Sequence, residues 1–485
     1  MSTNKRYIMS ITLVATLGGL LFGYDTAVIS GAVGSLQHFF IDPAGLVEWK
    51  ANFLWGLVTS SALLGCIVGG AVAGLVALKL GRKRGLLVAA VLFALSALGS
   101  ALPELGFAPL GEGDHTFITH FIVYRFIGGV GVGLASMLSP MYIAEIAPAE
   151  QRGNMVSWNQ FAIVFGMLVV YFVNWGIARQ GNESWLDTIG WRWMFASELI
   201  PASIFFLLLF TVPESPRWLV IAGEEAKAQL LLTRLNGEKG KGILAEIKDS
   251  LSHVEVGRLF SFGKLVIIIG VLLSLFQQFV GINVVLYYAP EIFKSTGMGT
   301  EAALFQTILV GAINMIFTII AIVSVDKYGR KPLMLIGALV MGVSMLVLGG
   351  TFAANQMGVA SLIFMMIYTA AFALSWGPVT WVLLSEIFPN RIRGKAMALA
   401  VAVQWACNFI VSQTFPMMNN STWLNDQFNH GFAYWIYGLC SLLAAWFVWK
   451  IVPETKGKTL EEMENLWTSE EGSSQDKTEE KAVMA

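Results

Sequence analysis

Apolar residues along this chain fall into continuous runs that are too long for strands and too long for ordinary buried helices. Twelve such runs can be marked, at about 8–31, 52–78, 84–102, 118–142, 154–178, 193–212, 264–293, 302–325, 331–352, 358–386, 396–417 and 430–451. Each is near the roughly 20 residues that an α-helix needs to cross a hydrocarbon core. Alternating barrel strands are excluded, because the runs are continuous rather than period-two. The pattern therefore predicts an all-α membrane protein with twelve transmembrane helices. Between runs six and seven lies one long polar stretch, 214–262. Its segment GEEAKAQLLLTRL is amphipathic and predicts short helices lying on a membrane face. The tail after Trp467 is polar and has the composition of a disordered segment.

Composition agrees with this reading. The chain of 485 residues is 56% hydrophobic and only 13% charged, against about 25% charged in a soluble domain. The first apolar run lacks a small-residue cleavage site and is expected to remain as the first helix. Cys66, Cys407 and Cys440 lie in apolar runs without metal-ligand spacing and are expected to be small core residues. No metal site, cofactor or nucleic-acid partner is expected, and no nucleotide loop or nucleophile–base pair points to an enzyme. The glycines of Gly128-Gly129-Val130-Gly131 lie inside a helical run, not after a strand.

Positive charge sits on one side of a twelve-span chain. Lys5 and Arg6, Lys79 to Arg84, Arg152, the middle stretch, Lys327 to Lys331, Arg391 to Lys395 and Lys450 to Lys458 all fall there. The other side holds Lys50, Arg179, Arg192 and Lys294. The bias predicts cytoplasmic termini and a cytoplasmic middle stretch.

The two halves repeat. Gly81-Arg82-Lys83 recurs at Gly329-Arg330-Lys331, Glu145 with Arg152-Gly153 at Glu386 with Arg393-Gly394, and Pro213-Glu214 at Pro453-Glu454, with shifts of 248, 241 and 240 residues. Three matches in the same order indicate duplicated six-helix halves, at 1–213 and 263–452. A short cytoplasmic helical linker region, 214–262, joins them, and a cytoplasmic tail, 453–485, follows. Parallel halves around a central site are one way secondary transporters are built.

Two constellations carry candidate chemistry. Asp25 lies within the first apolar run and Arg125 within the fourth. An intramembrane charge costs about 2.5–3.5 kcal/mol on insertion scales, so a proton site is the natural expectation for Asp25, with a structural hydrogen bond to a neighbouring helix as the alternative. Arg125 stays charged and needs an anion beside it. Low dielectric disfavours a carboxylate while a guanidinium favours it, so pairing and separation of the two could release and recapture a proton. A permanent structural ion pair is the other reading. Glu198 is a second intramembrane carboxylate and a candidate relay. The second constellation is a set of amides and aromatics in otherwise apolar runs: Gln160, Gln277, Gln278, Asn283, Asn314, Gln404, Tyr287, Trp381 and Trp405. Amides pair a donor with an acceptor, and indole adds a flat apolar face, as adjacent sugar hydroxyls and a C–H face require. Gly281 and Gly377-Pro378 could interrupt their helices at a cavity. Interhelical glue is the competing reading for such amides.

The chain resembles sugar porters of the major facilitator superfamily over nearly its full length. The resemblance is carried by GLLFGYDTAVISGA, YRFIGGVGVGLASMLSPMYIAEIAP, PESPRWL, QQFVGINVVLYYAP, VDKYGRKP and PETKGKTLEE. It implies the major facilitator fold and proton-coupled uptake of a monosaccharide, with D-xylose the expected sugar. Other expected possibilities are glucose, galactose or arabinose symport, a passive facilitator, a transporter-like sugar sensor, or an antiporter for apolar drugs. The resemblance places Phe22 and Gly377 with the amides in a central sugar cavity. It also implies a cytoplasmic gate of inter-helix salt bridges that hold the outward-facing state and break on inward opening. The gate residues are Arg82, Glu145, Arg152, Glu214, Arg217, Arg330, Glu386, Arg393 and Glu454. Ordinary positive-inside charge is the plainer account of the basic ones. Two departures from the family pattern stand out. Leu78 and Lys79 replace an acidic or amide residue followed by Arg, and Met167 stands where many relatives have Gln. Facilitators of this family typically carry Asn at the place of Asp25. The expected partners are a monosaccharide, a proton and the lipid bilayer, the expected location is the bacterial inner membrane, and the chain is expected to act as a monomer.

Overall fold

In a computed structural model, residues 5–111, 113–148, 151–252, 259–356, 358–389, 391–457 and 467 are described. The tail 468–485 lies outside them. Among the described residues all regular structure is helical. Twelve spans are long and apolar enough to cross a membrane: Lys5–Ala44, Glu48–Lys79, Arg82–Ala101, His115–Ile146, Asn154–Ala178, Glu183–Leu209, Lys264–Ser295, Thr300–Val325, Arg330–Ala353, Val359–Ile387, Arg393–Asn419 and Phe432–Lys450. We number these spans 1 to 12. Most agree with the predicted runs to within a few residues, but span 1 continues to Ala44, past the predicted end at 31, and span 6 starts at Glu183, before the predicted start at 193. The middle stretch forms Pro216–Ile221, Glu225–Asn236 and Gly240–Ser252, as its amphipathic pattern predicts.

Helix neighbours repeat with a period of six spans. Span 1 packs on 5 and span 7 on 11; span 2 packs on 4 and span 8 on 10; span 3 packs on 6 and span 9 on 12. The duplication read from three short motifs is thus a duplication of packing. Between the repeated sets, span 2 meets span 11, span 5 meets span 8 and span 1 meets span 7.

Glycines set the closeness of the first-half helices. A methyl added to Gly129 in span 4 would stand 1.8 Å from the Ala62 carbonyl oxygen of span 2, and one on Gly23 in span 1 would stand 1.8 Å from that of Ile163 in span 5. Backbones this near leave no room for a side chain, so helix contact there is van der Waals packing between main chains. The paired motifs have a backbone reason too. Gly81 and Gly329 adopt φ of +93° and +91° between their spans, a region that favours glycine.

Candidate functional site

Asp25 and Arg125 meet in the first half. The Arg125 guanidinium donates from Nη1 to Asp25 Oδ1 at 2.7 Å and from Nη2 to the Asp25 carbonyl at 3.0 Å. Both side chains are buried, at 0% and 1% exposure, so each charge has the other as its main compensation. Phe195 closes one side, its ring centre 5.4 Å from the guanidinium carbon. Gly128 makes the approach possible: a methyl there would lie 3.2 Å from Asp25 Oδ1.

Glu198 sits beside this pair, fully buried, with Asp25 and Arg125 as its charged neighbours. Span 6 is interrupted where it is needed. Helix Trp191–Ala196 stops, Ser197 and Glu198 form a turn, and helix Leu199–Leu209 follows. Pro201 has no N–H to give the Ser197 carbonyl, which takes a three-residue bond from Ile200 at 3.2 Å instead. Ser197 Oγ and Tyr24 Oη then lie 2.7 Å apart, tying the turn to span 1. The Glu198 carboxyl has the Asp25 carboxyl as its side-chain hydrogen-bond partner, a contact that needs a proton on one of the two, and no nitrogen donor among the described residues reaches Glu198 or Asp25 Oδ2. One guanidinium thus faces two buried carboxyl groups and can neutralise one of them.

The second half supplies a connected amide set. Span 7 breaks at Val280-Gly281, where Gly281 has φ +93° and lies against the Tyr437 ring. Span 10 breaks at Ser375, two residues before the Gly377-Pro378 pair that the sequence singled out. Pro378 falls in the first turn of the following helix, where proline is tolerated. Gln277 crosses to that break, donating to the carbonyls of Trp376 at 3.0 Å and Gly377 at 3.3 Å. Gln278 donates to Gln277 Oε1 at 3.3 Å, and Asn283 donates to Gln278 Oε1 at 2.5 Å. Phe22 of span 1 packs on Trp405 of span 11 with ring centres 5.6 Å apart, and Trp55–Tyr288 and Trp175–Phe305 also join the halves. Tyr287, Asn314 and Gln404 are buried in the same half, and Gln404 Nε2 has no hydrogen-bond partner. Gln160 on span 5 is half-buried and Trp381 is exposed; both stay outside the bonded set.

The gate residues pair within halves. Arg82 donates to Glu145 at 2.7 Å in the first, and Arg330 to Glu386 at 2.6 Å in the second. Glu214 accepts from the backbone N–H of Arg82 and Lys83, and Glu454 from those of Arg330 and Lys331. Ser215 donates to Glu145 as Thr455 does to Glu386. Arg393 donates to the Phe388 carbonyl of its own half, Arg217 is half-buried in the helix Pro216–Ile221, and Arg152 starts the helix Arg152–Ala178 that contains span 5, with its side chain outside the described residues. Among the described residues, a set of bonds across the halves lies at the opposite end. Thr422 donates to Glu48, Gln413 Nε2 to the Phe53 carbonyl at 2.8 Å, Ser60 to Gln413 Oε1 at 3.0 Å, and Thr300 to Glu183 at 2.9 Å. Arg179 pairs with Glu301 at 3.1 Å. Bonds between the halves require the ends they join to be together.

This chain matches the family described as "Sugar (and other) transporter" over residues 11–467. It is a sugar transporter of that family. It is 59% identical to the D-xylose-proton symporter of Escherichia coli strain K12, over 96% of this chain and 97% of that protein. It is 42% identical to the glucose facilitated diffusion protein of Zymomonas mobilis, over 96% and 99%, and 41% identical to the arabinose-proton symporter of Bacillus subtilis, over 96% of each. The E. coli xylose transporter XylE in its inward-open conformation superposes with a TM-score of 0.86 at 57% identity, covering 95% of this chain and all of that one. XylE bound to 6-bromo-6-deoxy-D-glucose superposes with a TM-score of 0.82 at 58% identity, covering 96% and 100%. The twelve-span transporter fold is thereby established, and the relatives of this chain are transporters rather than enzymes.

Several polar residues of the interior were not singled out from sequence. Asn408 neighbours Tyr287 and accepts from Ser412 at 3.1 Å, Asn174 donates to the Val28 carbonyl at 3.2 Å, and Gln413 joins spans 2 and 11. The signal that found Gln277, an amide in an apolar run, applies to all three. Arg192 and Glu104 are also buried together, at 2.8 Å. Glu104 gave no signal, since it lies in a turn segment of ordinary polarity.

Proposed function

We propose that this transporter carries a monosaccharide, D-xylose first, together with a proton by alternating access. The observation that carries the reading is the Asp25–Arg125 pair, a buried carboxylate held by a single guanidinium inside two membrane spans. Asp25 is the proton carrier, Arg125 its competing cation, and Glu198 the relay. When Arg125 holds Asp25 the proton is released; when the halves rock and the pair parts, the carboxylate takes a proton back. The sugar sits between the halves on Gln160, Gln277, Gln278, Asn283, Asn314, Gln404 and Tyr287, with Phe22, Gly377, Trp381 and Trp405 beside it. The relative at 59% identity is a D-xylose-proton symporter, which supports both the sugar and the coupling. Positive charge supports cytoplasmic termini in a bacterial inner membrane, so the bonds from Glu48 to Thr422 and from Gln413 to Phe53 close the external face. One proton moving through about 180 mV supplies roughly 4 kcal/mol, enough for about a thousandfold accumulation.

Sugar identity has one specific point against the simple transfer. Met167 is buried on span 5, where its backbone lies against Gly23, and a thioether offers a hydroxyl little. The test is to add xylose, glucose, galactose and arabinose in turn to de-energised cells expressing the transporter, and to record external pH. Alkalinisation with xylose supports the reading; none with any sugar would sink it.

A further inference from the structure

Lys79 and Arg84 end the lipid-facing stripes of spans 2 and 3. On span 2 the exposed side chains Val68, Leu75 and Lys79 follow one another at helical spacing, with exposed Leu78 beside them. On span 3 exposed Arg84 heads the same kind of stripe, followed by Val88, Val91 and Leu95. Apolar side chains exposed on a membrane span face acyl chains, so a cation that ends such a stripe lies where the headgroups begin. No carboxylate among the described residues pairs with Lys79 or Arg84. The acids of this corner are engaged elsewhere: Glu145 with Arg82 and Ser215, and Glu214 with the backbone N–H of Arg82 and Lys83.

A buried ring fixes the two stripes relative to each other. The Trp218 indole N–H donates to the Leu78 carbonyl at 3.0 Å, and the Arg84 guanidinium carbon lies 6.0 Å from the centre of the same ring. The turn between the spans is packed on it too, since a methyl on Gly81 would stand 3.0 Å from the indole. Both cations therefore rise from a rigid base. The duplicated half supplies a comparison. Leu78-Lys79-Leu80-Gly81-Arg82-Lys83-Arg84 aligns, at the shift of 248, with Asp326-Lys327-Tyr328-Gly329-Arg330-Lys331-Pro332. The first-half stretch has a leucine for the acid and an arginine for the proline, and is two charges more positive. An ordinary bias toward positive loops would load both stretches alike.

We propose that this corner of spans 2 and 3 binds the phosphate of an anionic phospholipid, with Lys79 and Arg84 on the headgroup and Leu75, Leu78 and Val88 along the acyl chains. A guanidinium suits a phosphate because its planar donors reach two oxygens at once, and Lys79 adds a point charge. The selectivity follows from what is missing. A zwitterionic headgroup brings an amine with its phosphate, and Leu78 offers that amine no acceptor where the second half has an acid. The corner therefore favours net negative charge.

The test titrates the intact transporter in mild detergent with phosphatidylglycerol or phosphatidylethanolamine and counts retained lipid by native mass spectrometry. Wild type should retain phosphatidylglycerol in preference to phosphatidylethanolamine, less strongly as salt is raised. Lys79→Gln/Arg84→Gln should weaken phosphatidylglycerol binding about thirtyfold, at about fivefold for each charge near a headgroup, and Lys79→Arg/Arg84→Lys should keep most of it. Leu78→Asp, which supplies the acid of the second half, should weaken it about fivefold with every cation in place, so the charge argument is tested even where the double variant folds poorly. Lys227→Gln/Lys248→Gln, at two exposed lysines already paired on the linker helices, should match wild type. Phosphatidylglycerol binding that is unchanged in both the double variant and Leu78→Asp would overturn the proposal, as would equal retention of the two lipids by wild type. Displacement of the lipid by soluble glycerol phosphate would make the corner a site for free phosphates and would overturn the lipid assignment.

Discussion

Replacing Gln413 by alanine isolates the closure of the far face. Its side chain is buried at 6% exposure and makes two bonds between the halves, to the Phe53 carbonyl at 2.8 Å and from Ser60 at 3.0 Å. Both require spans 2 and 11 to be together, so both are lost when that end opens. At about 0.5–1.5 kcal/mol net per hydrogen bond, Gln413→Ala removes about 1–3 kcal/mol from the closed state alone. The ratio of closed to open should fall by about five- to 150-fold. Nitroxide labels at Trp49→Cys and Trp423→Cys, both exposed at this end, on a background lacking the native cysteines, read the distance between halves by pulsed electron resonance. The longer distance should gain population in Gln413→Ala without added sugar. An unchanged distribution would refute the assignment of these bonds to one state, and a variant that merely unfolds would lose both distances.

The buried pair at the end of span 3 should matter for stability. Burial pushes the Glu104 carboxyl up, but the Arg192 hydrogen bond and the backbone N–H of Gly111 outweigh it and hold it below the usual carboxylate range. Its contribution is therefore complete above the unfolded value near 4.3 and is lost as pH falls through the lower folded value. Melting of wild type and Glu104→Ala in detergent should differ by about 3 kcal/mol at pH 7 and converge toward pH 3; parallel curves would contradict this. Gly129→Leu should lower folded yield, since any side chain there meets the Ala62 carbonyl, and wild-type yield would show that spans 2 and 4 are loosely packed. Gln277→Ala should raise the half-saturating xylose concentration about tenfold in counterflow, the worth of one hydrogen bond, with little effect expected if Gln277 only staples span 10.

Much of this was legible in the chain because a bilayer makes hydrophobic length diagnostic. An arginine alone in an apolar run demanded an anion, and Asp25 was the candidate that the structure places 2.7 Å away. Gly281 marked the break in span 7 because no other residue suits its backbone. The break in span 10 is two residues earlier than Gly377-Pro378 suggested, because proline can open a helix as well as stop one. Glu104 was invisible, since its burial comes from the fold of the 102–114 segment over Arg192 rather than from its own surroundings in sequence. The charges of the repeated motifs are plain in the sequence, but not that Arg82 bonds Glu145 and Arg330 bonds Glu386. That pairing depends on which spans lie side by side, which no local pattern in the chain specifies.

Proton coupling through Asp25 is tested most directly in proteoliposomes holding Asp25→Asn under an imposed proton-motive force. If Asp25 carries the proton, the variant exchanges labelled xylose across the membrane but does not concentrate it, while wild type does both. Concentration of xylose by Asp25→Asn against its gradient would contradict the assignment.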